Sequence, residues 1–163
     1  MEAIVAMDNY GAIGADNGLL IHDKEDLQHF RRITMGCQCI VGRKTAANMP
    51  ELKGRRVIPV SREFSRGYCY EEILCMAEMS ARTIVIGGTE IYELFWDDIT
   101  IFHVTQFDID LTRDADTFFD YQRLDEEFTL LPGTMSDGGG SSMIYATKEK
   151  YTINRTYDTY VRK

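Results

Sequence analysis

Strand-like apolar runs alternate with helix-like segments through the first two-thirds of this chain, and then the helices stop. Residues 3–7, 39–41, 57–60, 83–86 and 99–105 read as strands, with helical periodicity at 25–35, 45–49, 71–79 and 90–95. A strand, a crossover helix and a second strand make a parallel pair. The tail holds only strand patterns, at 128–131, 143–147 and 156–161, which predicts antiparallel additions at one edge. The expected architecture is α/β: one domain over residues 1–163, a three-layer sandwich whose central mixed, mostly parallel sheet has about eight strands and about four helices. The glycine-rich run 138–142 is expected to be a hairpin loop between two late strands.

At 163 residues the chain is long enough to bury about two-thirds of the surface its unfolded form exposes, so it needs no covalent staples. Cys37, Cys39, Cys69 and Cys75 lack paired metal spacing with histidines, so no metal is expected. No signal-like segment opens the chain and no apolar run approaches a membrane span, which makes a soluble cytoplasmic monomer the expectation. A net charge of -8 argues against a nucleic-acid partner. Positive charge is nevertheless concentrated locally, in Arg43, Lys44, Arg55, Arg56, Arg62 and Arg66.

Two stretches carry chemistry. In the first, the glycine-punctuated loop Ile13-Gly14-Ala15-Asp16-Asn17-Gly18-Leu19-Leu20-Ile21 feeds a helix whose Leu27, Phe30 and Ile33 form an apolar stripe with Asp26 on its edge. A carboxylate beside apolar surface needs a donor-rich partner, and a ligand can be that partner. Asp23, Glu25 and Asp26 also suit the first helical turn on capping and dipole grounds alone. In the second, the run Thr83-Ile84-Val85-Ile86 ends in Gly87-Gly88 and opens a helix with Thr89-Glu90-Ile91-Tyr92, letting main-chain amides approach a phosphate or a flat ring.

Together these stretches resemble the dihydrofolate reductase family. Ile40-Val41-Gly42-Arg43-Lys44-Thr45, Leu52-Lys53-Gly54-Arg55, Val60-Ser61-Arg62-Glu63, Val104-Thr105 and Ala115-Asp116-Thr117-Phe118-Phe119 continue the likeness in the family's order, across residues 4 to 119. The resemblance implies hydride transfer from NADPH to C6 of dihydrofolate, with N5 of the pterin gaining a proton. By position, Asp26 matches the family's pocket carboxylate, with Thr105, Ile21 and Leu19 beside it in the catalytic group. The implied substrate contacts are Ile4, Val5, Leu27, Phe30, Met49, Leu52, Ile86 and Tyr92, with Arg55 clamping the carboxylate of the glutamate tail through its planar fork. For the cofactor the resemblance implies Ala6, Ile13, Gly14 and Gly18 around the nicotinamide, then Gly42, Arg43, Lys44 and Thr45 on the phosphates. Ser61 and Arg62 fall at the adenosine 2′-phosphate, and Gly87, Gly88, Thr89, Glu90, Ile91 and Tyr92 at the pyrophosphate. Gly87 and Gly88 match a cis-linked pair in that family. Antifolates are expected ligands, and packing alone also accounts for Leu27, Phe30, Met49 and Leu52.

The chain departs from the family pattern at Leu20-Ile21, where a Pro-Trp pair is usual, at Ala46 in place of an aromatic residue, and at Thr89, where a third glycine is common. Isoleucine removes an indole donor from the water network beside the carboxylate, which implies slowed or rerouted proton delivery and an altered antifolate response. Two further readings stay open: a reductase of another pterin or ribityl-pyrimidine substrate, and a weakly active binding homologue.

Overall fold

The computed structural model describes residues 1–79, 82–133, 135–144 and 148–163, and only the main chain of 135–142 and 144. The chain opens with β1 (Glu2–Met7), then β2 (Ala12–Ala15), β3 (Gly18–Leu19) and β4 (Ile21–His22), followed by α1 (Lys24–Thr34). Strand and helix then alternate through β5 (Gln38–Gly42), α2 (Arg43–Ala47), β6 (Arg56–Val60), α3 (Tyr70–Met79), β7 (Thr83–Gly87), α4 (Thr89–Leu94) and β8 (Ile101–Phe107). The tail adds β9 (Thr117–Phe118), α5 (Tyr121–Glu127), β10 (Phe128–Leu130), β11 (Met135–Ile144) and β12 (Glu149–Arg162).

The large sheet runs β4-β11-β12-β8-β1-β7-β5-β6, with β10 also paired to β12. From β8 to β6 neighbouring strands are parallel. Beyond β8 every pairing is antiparallel, because β12 runs against β8, β10 and β11, and β11 runs against β4.

Alternation along the strands sorts side chains into two layers. On one face Ile4, Cys39 and Ile84 pack against Phe30 and Ile33 of α1. On the other, Ala3, Val5, Ile40, Ile58 and Val85 meet Ile73 of α3, Ile91 and Tyr92 of α4 and Leu124 of α5. Trp96, Phe102 and Phe128 anchor that second layer, the Phe102 ring centre lying 5.2 Å from Trp96 and 5.1 Å from Phe128. A large apolar side chain fully buried in this way contributes roughly 1.5–3 kcal/mol.

The sequence reading has no counterpart of α5, and three further segments differ from it. The segment at 13–19 is a hairpin rather than an irregular loop: Gly14 pairs with Leu19 and Ala15 with Gly18, around Asp16 and Asn17 at φ 51 and 60. Two residues at positive φ give the turn whose twist suits a tight hairpin. The run 138–142 lies inside β11, where the long β12 supplies partners such as Thr156 for Ser136 and Ile153 for Gly140, with a bulge between. Pairing thus overrides the weak strand propensity of glycine. The strand expected at 143–147 begins much earlier, at Met135, and residues 145–147 lie outside the described residues.

Candidate active site

Strand register assembles the floor of a cleft. Thr105 of β8 sits beside Ala6 of β1 on one side and Tyr157 of β12 on the other, so these side chains share the face that α1 covers. The cleft is lined by Ala6, Ile13, Leu19, Ile21, Asp26 and Phe107 among others. Leu19 is more than half exposed at its mouth, at 54%.

The N-terminus of α1 resolves the acidic cluster into separate roles. Asp23 is the cap, its carboxylate accepting the Asp26 amide at 2.9 Å, whereas Asp26 turns to the cleft. Burial pushes the Asp26 carboxyl up to about 6, reinforced by the Asp23 charge and opposed by a hydrogen bond with Thr105 and by the Arg155 guanidinium. An apolar cleft thus holds one acid that exchanges its proton close to neutral pH.

Beyond Asp26 the cleft wall continues along α1 through Leu27, which is exposed, and Phe30, which packs with Ile4 and Ile86. Met49 and Leu52 are half-buried on the segment that follows α2. Arg55 leans onto α1, donating to Thr34 Oγ1 and to the Lys53 carbonyl at 3.2 Å each, with its guanidinium 5.9 Å from the Phe30 ring centre. Arg56 is exposed and directed at Gln38 Oε1 instead. Gly54 makes the turn between them and α1 at φ +77, where a Cβ would lie 2.5 Å from Met35 Sδ.

A second cradle forms where β5 and β7 end side by side. The Gly87–Gly88 peptide is cis. A Cβ on Gly42 would come within 3.1 Å of Ile91 Cγ1 and 3.8 Å of the Gly88 nitrogen, and one on Gly88 within 3.6 Å of Thr45 Oγ1. These glycines therefore leave a shallow space floored by main-chain amides. Arg43, Lys44 and Arg62 are exposed around it, and among the described residues none of the three makes an ion pair. Ser61 Oγ accepts from the Glu63 amide at 3.0 Å. The set is suited to phosphate: amides, hydroxyls and uncommitted cations at the carboxyl ends of parallel strands.

Other expected site residues have structural duties. Val5 turns its side chain into the opposite core layer, because it alternates with Ile4 and Ala6. Tyr92 is buried, its hydroxyl donating to the Ile4 carbonyl at 2.6 Å. Ile91 packs onto Gly42, Thr89 Oγ1 donates to the Phe118 carbonyl at 3.2 Å, and Glu90 is exposed. Gly14 and Gly18 shape the hairpin, where a Cβ on Gly14 would lie 2.7 Å from the Gly18 carbonyl oxygen. Asp116 ties that hairpin down, accepting the Asp16 amide at 2.9 Å and donating its own amide to the Gly14 carbonyl at 3.0 Å.

A family model described as dihydrofolate reductase matches residues 1–138. This chain belongs to the dihydrofolate reductase family. It is 35% identical over 119 residues to the dihydrofolate reductase of Mycobacterium tuberculosis, covering 69% of this chain and 74% of that protein. The Neisseria meningitidis dihydrofolate reductase is 32% identical over 118 residues, covering 66% and 70%. Among solved structures, a dihydrofolate reductase from Enterococcus faecalis complexed with NADP(H) and RAB-propyl shares the fold, with a TM-score of 0.79 at 24% identity over 99% of this chain and 95% of that one. Dihydrofolate reductases are NADPH-dependent oxidoreductases, and the chain is an enzyme of that class. Among the described residues no helix is long and apolar enough to cross a membrane, and no cluster of side chains is arranged to hold a metal.

Sequence reading missed Arg155 and Tyr157, which β12 brings to the candidate site beside Asp26, and His29, whose ring lies 4.1 Å from that of Tyr157. Their one sequence signal was the spacing of Arg155 and Tyr157 by two, which places both on one strand face.

Proposed function

We propose that this chain reduces 7,8-dihydrofolate to 5,6,7,8-tetrahydrofolate with NADPH, and that Asp26 anchors the pterin and serves the proton step. The observation that carries this reading is the half-buried Asp26 carboxyl, pushed up to about 6 and facing an otherwise apolar cleft beside Thr105. NADPH, when bound, supplies the hydride that goes to C6 of the pterin. The cradle fits its phosphates on the chemistry of its donors: Gly42, Gly87 and Gly88 leave the room, Thr45 and Ser61 supply hydroxyls, and Arg43, Lys44 and Arg62 supply charge. Arg62 beside Ser61 favours the 2′-phosphate of NADPH over the bare ribose of NADH.

Asp26 accepts from the 2-amino group and N3–H of the pterin, a charge-assisted pair that fixes the ring's orientation. Its negative field raises the basicity of the ring system, so that a water at the cleft mouth delivers the proton to N5. Phe30 and Leu27 flank the flat ring system and the benzoyl group, Met49 and Leu52 close the far side, and Arg55 takes the glutamate carboxylate in two parallel hydrogen bonds. Ile13 and the 14–19 hairpin exclude water from the nicotinamide side.

Loss of NADPH absorbance in the presence of dihydrofolate tests the reading, with Asp26→Asn and a methotrexate-inhibited sample alongside. Inhibitable turnover that collapses in Asp26→Asn is expected. Ile21 favours one competing reading, a homologue that binds without efficient turnover, because it contributes no donor beside Asp26. That reading predicts measurable NADPH binding with no oxidation.

A further inference from the structure

Arg155 is 1% exposed, and it is paired with a carboxylate, Asp23, that is 2% exposed. Arg155 Nη1 donates to Asp23 Oδ2 at 2.9 Å, Nη2 to Glu25 Oε2 at 2.6 Å and Nε to the Tyr157 hydroxyl at 3.1 Å. Burying two charges is costly, and a buried pair is commonly no more stabilising than apolar residues of the same volume. Capping α1 does not demand it either, since a solvated aspartate caps as well. The pair therefore needs a reason other than stability.

The connectivity supplies one. The two oxygens of Asp23 are divided, Oδ2 taking the guanidinium and Oδ1 taking the amide of Asp26. Arg155 also holds Tyr157, which stands directly across the β8–β12 ladder from Thr105, whose hydroxyl favours the ionised form of Asp26. One buried cation thus reaches Asp26 by its main chain and through the strand that carries its hydroxyl partner. We infer that Arg155 is a positioning residue for the reaction, acting with Asp23 to hold Asp26 in place and to balance the charge around its carboxyl. The inference rests on the reading of Asp26 as the group that serves the proton step.

The groups facing Asp26 divide by element. The cap contributes Asp23, β8 contributes Thr105, and β12 contributes Arg155 and Tyr157, with Glu25 paired to Arg155 and the His29 ring against Tyr157 behind them. Burial keeps His29 down at about 4, so it is neutral at working pH. The rest of the wall, including Ala6, Ile21 and Phe107, is apolar. The Asp23 charge raises the proton affinity of Asp26 and the Arg155 charge lowers it, so the two effects oppose one another across one hydrogen bond.

The test is the pH profile of kcat/KM for dihydrofolate at saturating NADPH, in wild type, Arg155→Met, Asp23→Asn and the double variant. Arg155→Met leaves the Asp23 charge unbalanced, and the limb belonging to Asp26 is expected to move up by about one pH unit. Asp23→Asn keeps a capping oxygen and leaves Arg155, so the limb is expected to move down. The double variant falls between them, and the KM for NADPH stays within about twofold throughout. Opposite shifts are something that a purely structural pair does not produce. A limb that stays fixed in both single variants while thermal stability falls overturns the inference. If Arg155→Met does not fold, Asp23→Asn decides alone, a downward shift supporting the inference and a fixed limb overturning it. Asp26→Asn in the same series separates the two levels: full turnover there overturns the reading of Asp26 and this inference with it, whereas lost turnover beside unmoved limbs overturns this inference only.

Discussion

Arg55 donates through Nη1 to Thr34 Oγ1 at 3.2 Å, and the Thr34 hydroxyl in turn donates to the Phe30 carbonyl at 2.7 Å, so a turn on the far side of the cleft is hydrogen-bonded to the helix that carries Asp26. Two of the five guanidinium donors are engaged, by Thr34 and by the Lys53 carbonyl. The others suit a carboxylate arriving between Phe30 and Leu52. A hydrogen bond to a charged partner is worth about 1.5–3 kcal/mol. Arg55→Leu is therefore expected to raise the KM for dihydrofolate by about ten- to a hundredfold, with the KM for NADPH changed less than about twofold. Arg55→Lys should recover only part of the loss, because an ammonium cannot make two parallel bonds to one carboxylate. Equal effects on both KM values would place the glutamate tail elsewhere.

Asp26 has a cost in stability whose sign can be worked out. Its folded-state proton affinity is raised from 3.8 to about 6, so between those pH values the folded protein holds more protons than the unfolded chain. Stability contributed by the protonated form is present below 3.8 and is lost as pH rises through 6. Above 6 the ionised carboxylate remains a burden of about 1–3 kcal/mol. Asp26→Asn should accordingly unfold at higher denaturant concentration than wild type at pH 7.5 and at nearly the same concentration at pH 3.5. A variant less stable than wild type at both values would contradict the assignment of a desolvated acid.

The fold was legible because its periodicities are simple. The early strands are apolar on both faces, as buried parallel strands must be, and α1 carries a clear stripe in Leu27, Phe30 and Ile33. The first half of the site was legible too, since Asp26, Arg55 and Gly87-Gly88 lie in short motifs next to those elements. The tail was read less well. β11 starts at Met135 with glycines in its middle, and only pairing with β12 makes it a strand, a relationship that no local pattern encodes. α5 was missed because its seven residues carry one buried side chain, Leu124, and no repeat of it. For the same reason Arg155 was invisible: a cation in an alternating strand reads as a solvent-facing residue, and only the three-dimensional placement of Asp23 explains why it points inward.

A separate charge cluster should govern acid sensitivity. Glu2 accepts from Arg82 Nε at 2.8 Å and Nη2 at 2.6 Å, and lies 2.6 Å from His103 Nε2. The Arg82 hydrogen bonds, against the opposing effect of burial and with help from His103, hold the Glu2 carboxyl down at about 2 instead of 4.5. A depressed acid stabilises the folded state above its unfolded value, and that contribution disappears as pH falls through the folded one. Wild type should therefore lose its stability advantage over Glu2→Gln between pH 4.5 and 2. Because Arg82 is partly exposed, solvent screening limits the difference at neutral pH to about 1 kcal/mol. Denaturant midpoints that stay parallel for the two proteins across that window would show the cluster to be inert.

Cofactor preference is the remaining consequence of the cradle. Arg43, Lys44 and Arg62 surround amides at the ends of β5 and β7, on a chain whose net charge of -8 would otherwise repel an anion. The cationic patch must then act locally, and its effect must fall with salt, since exposed charges are screened beyond about 8–10 Å at physiological ionic strength. On the proposed reading, Arg62, next to Ser61, takes the 2′-phosphate, whereas Arg43 and Lys44, which lead α2, take the phosphates common to both nicotinamide cofactors. Arg62→Gln is expected to raise the Kd for NADPH about tenfold or more while leaving that for NADH within about twofold, which is the loss of one charge-assisted contact. Arg43→Gln should weaken both cofactors by similar factors. Fluorescence titration of each variant at two salt concentrations separates these outcomes, and an Arg62→Gln protein that loses NADPH and NADH equally would move the 2′-phosphate away from Ser61 and Arg62.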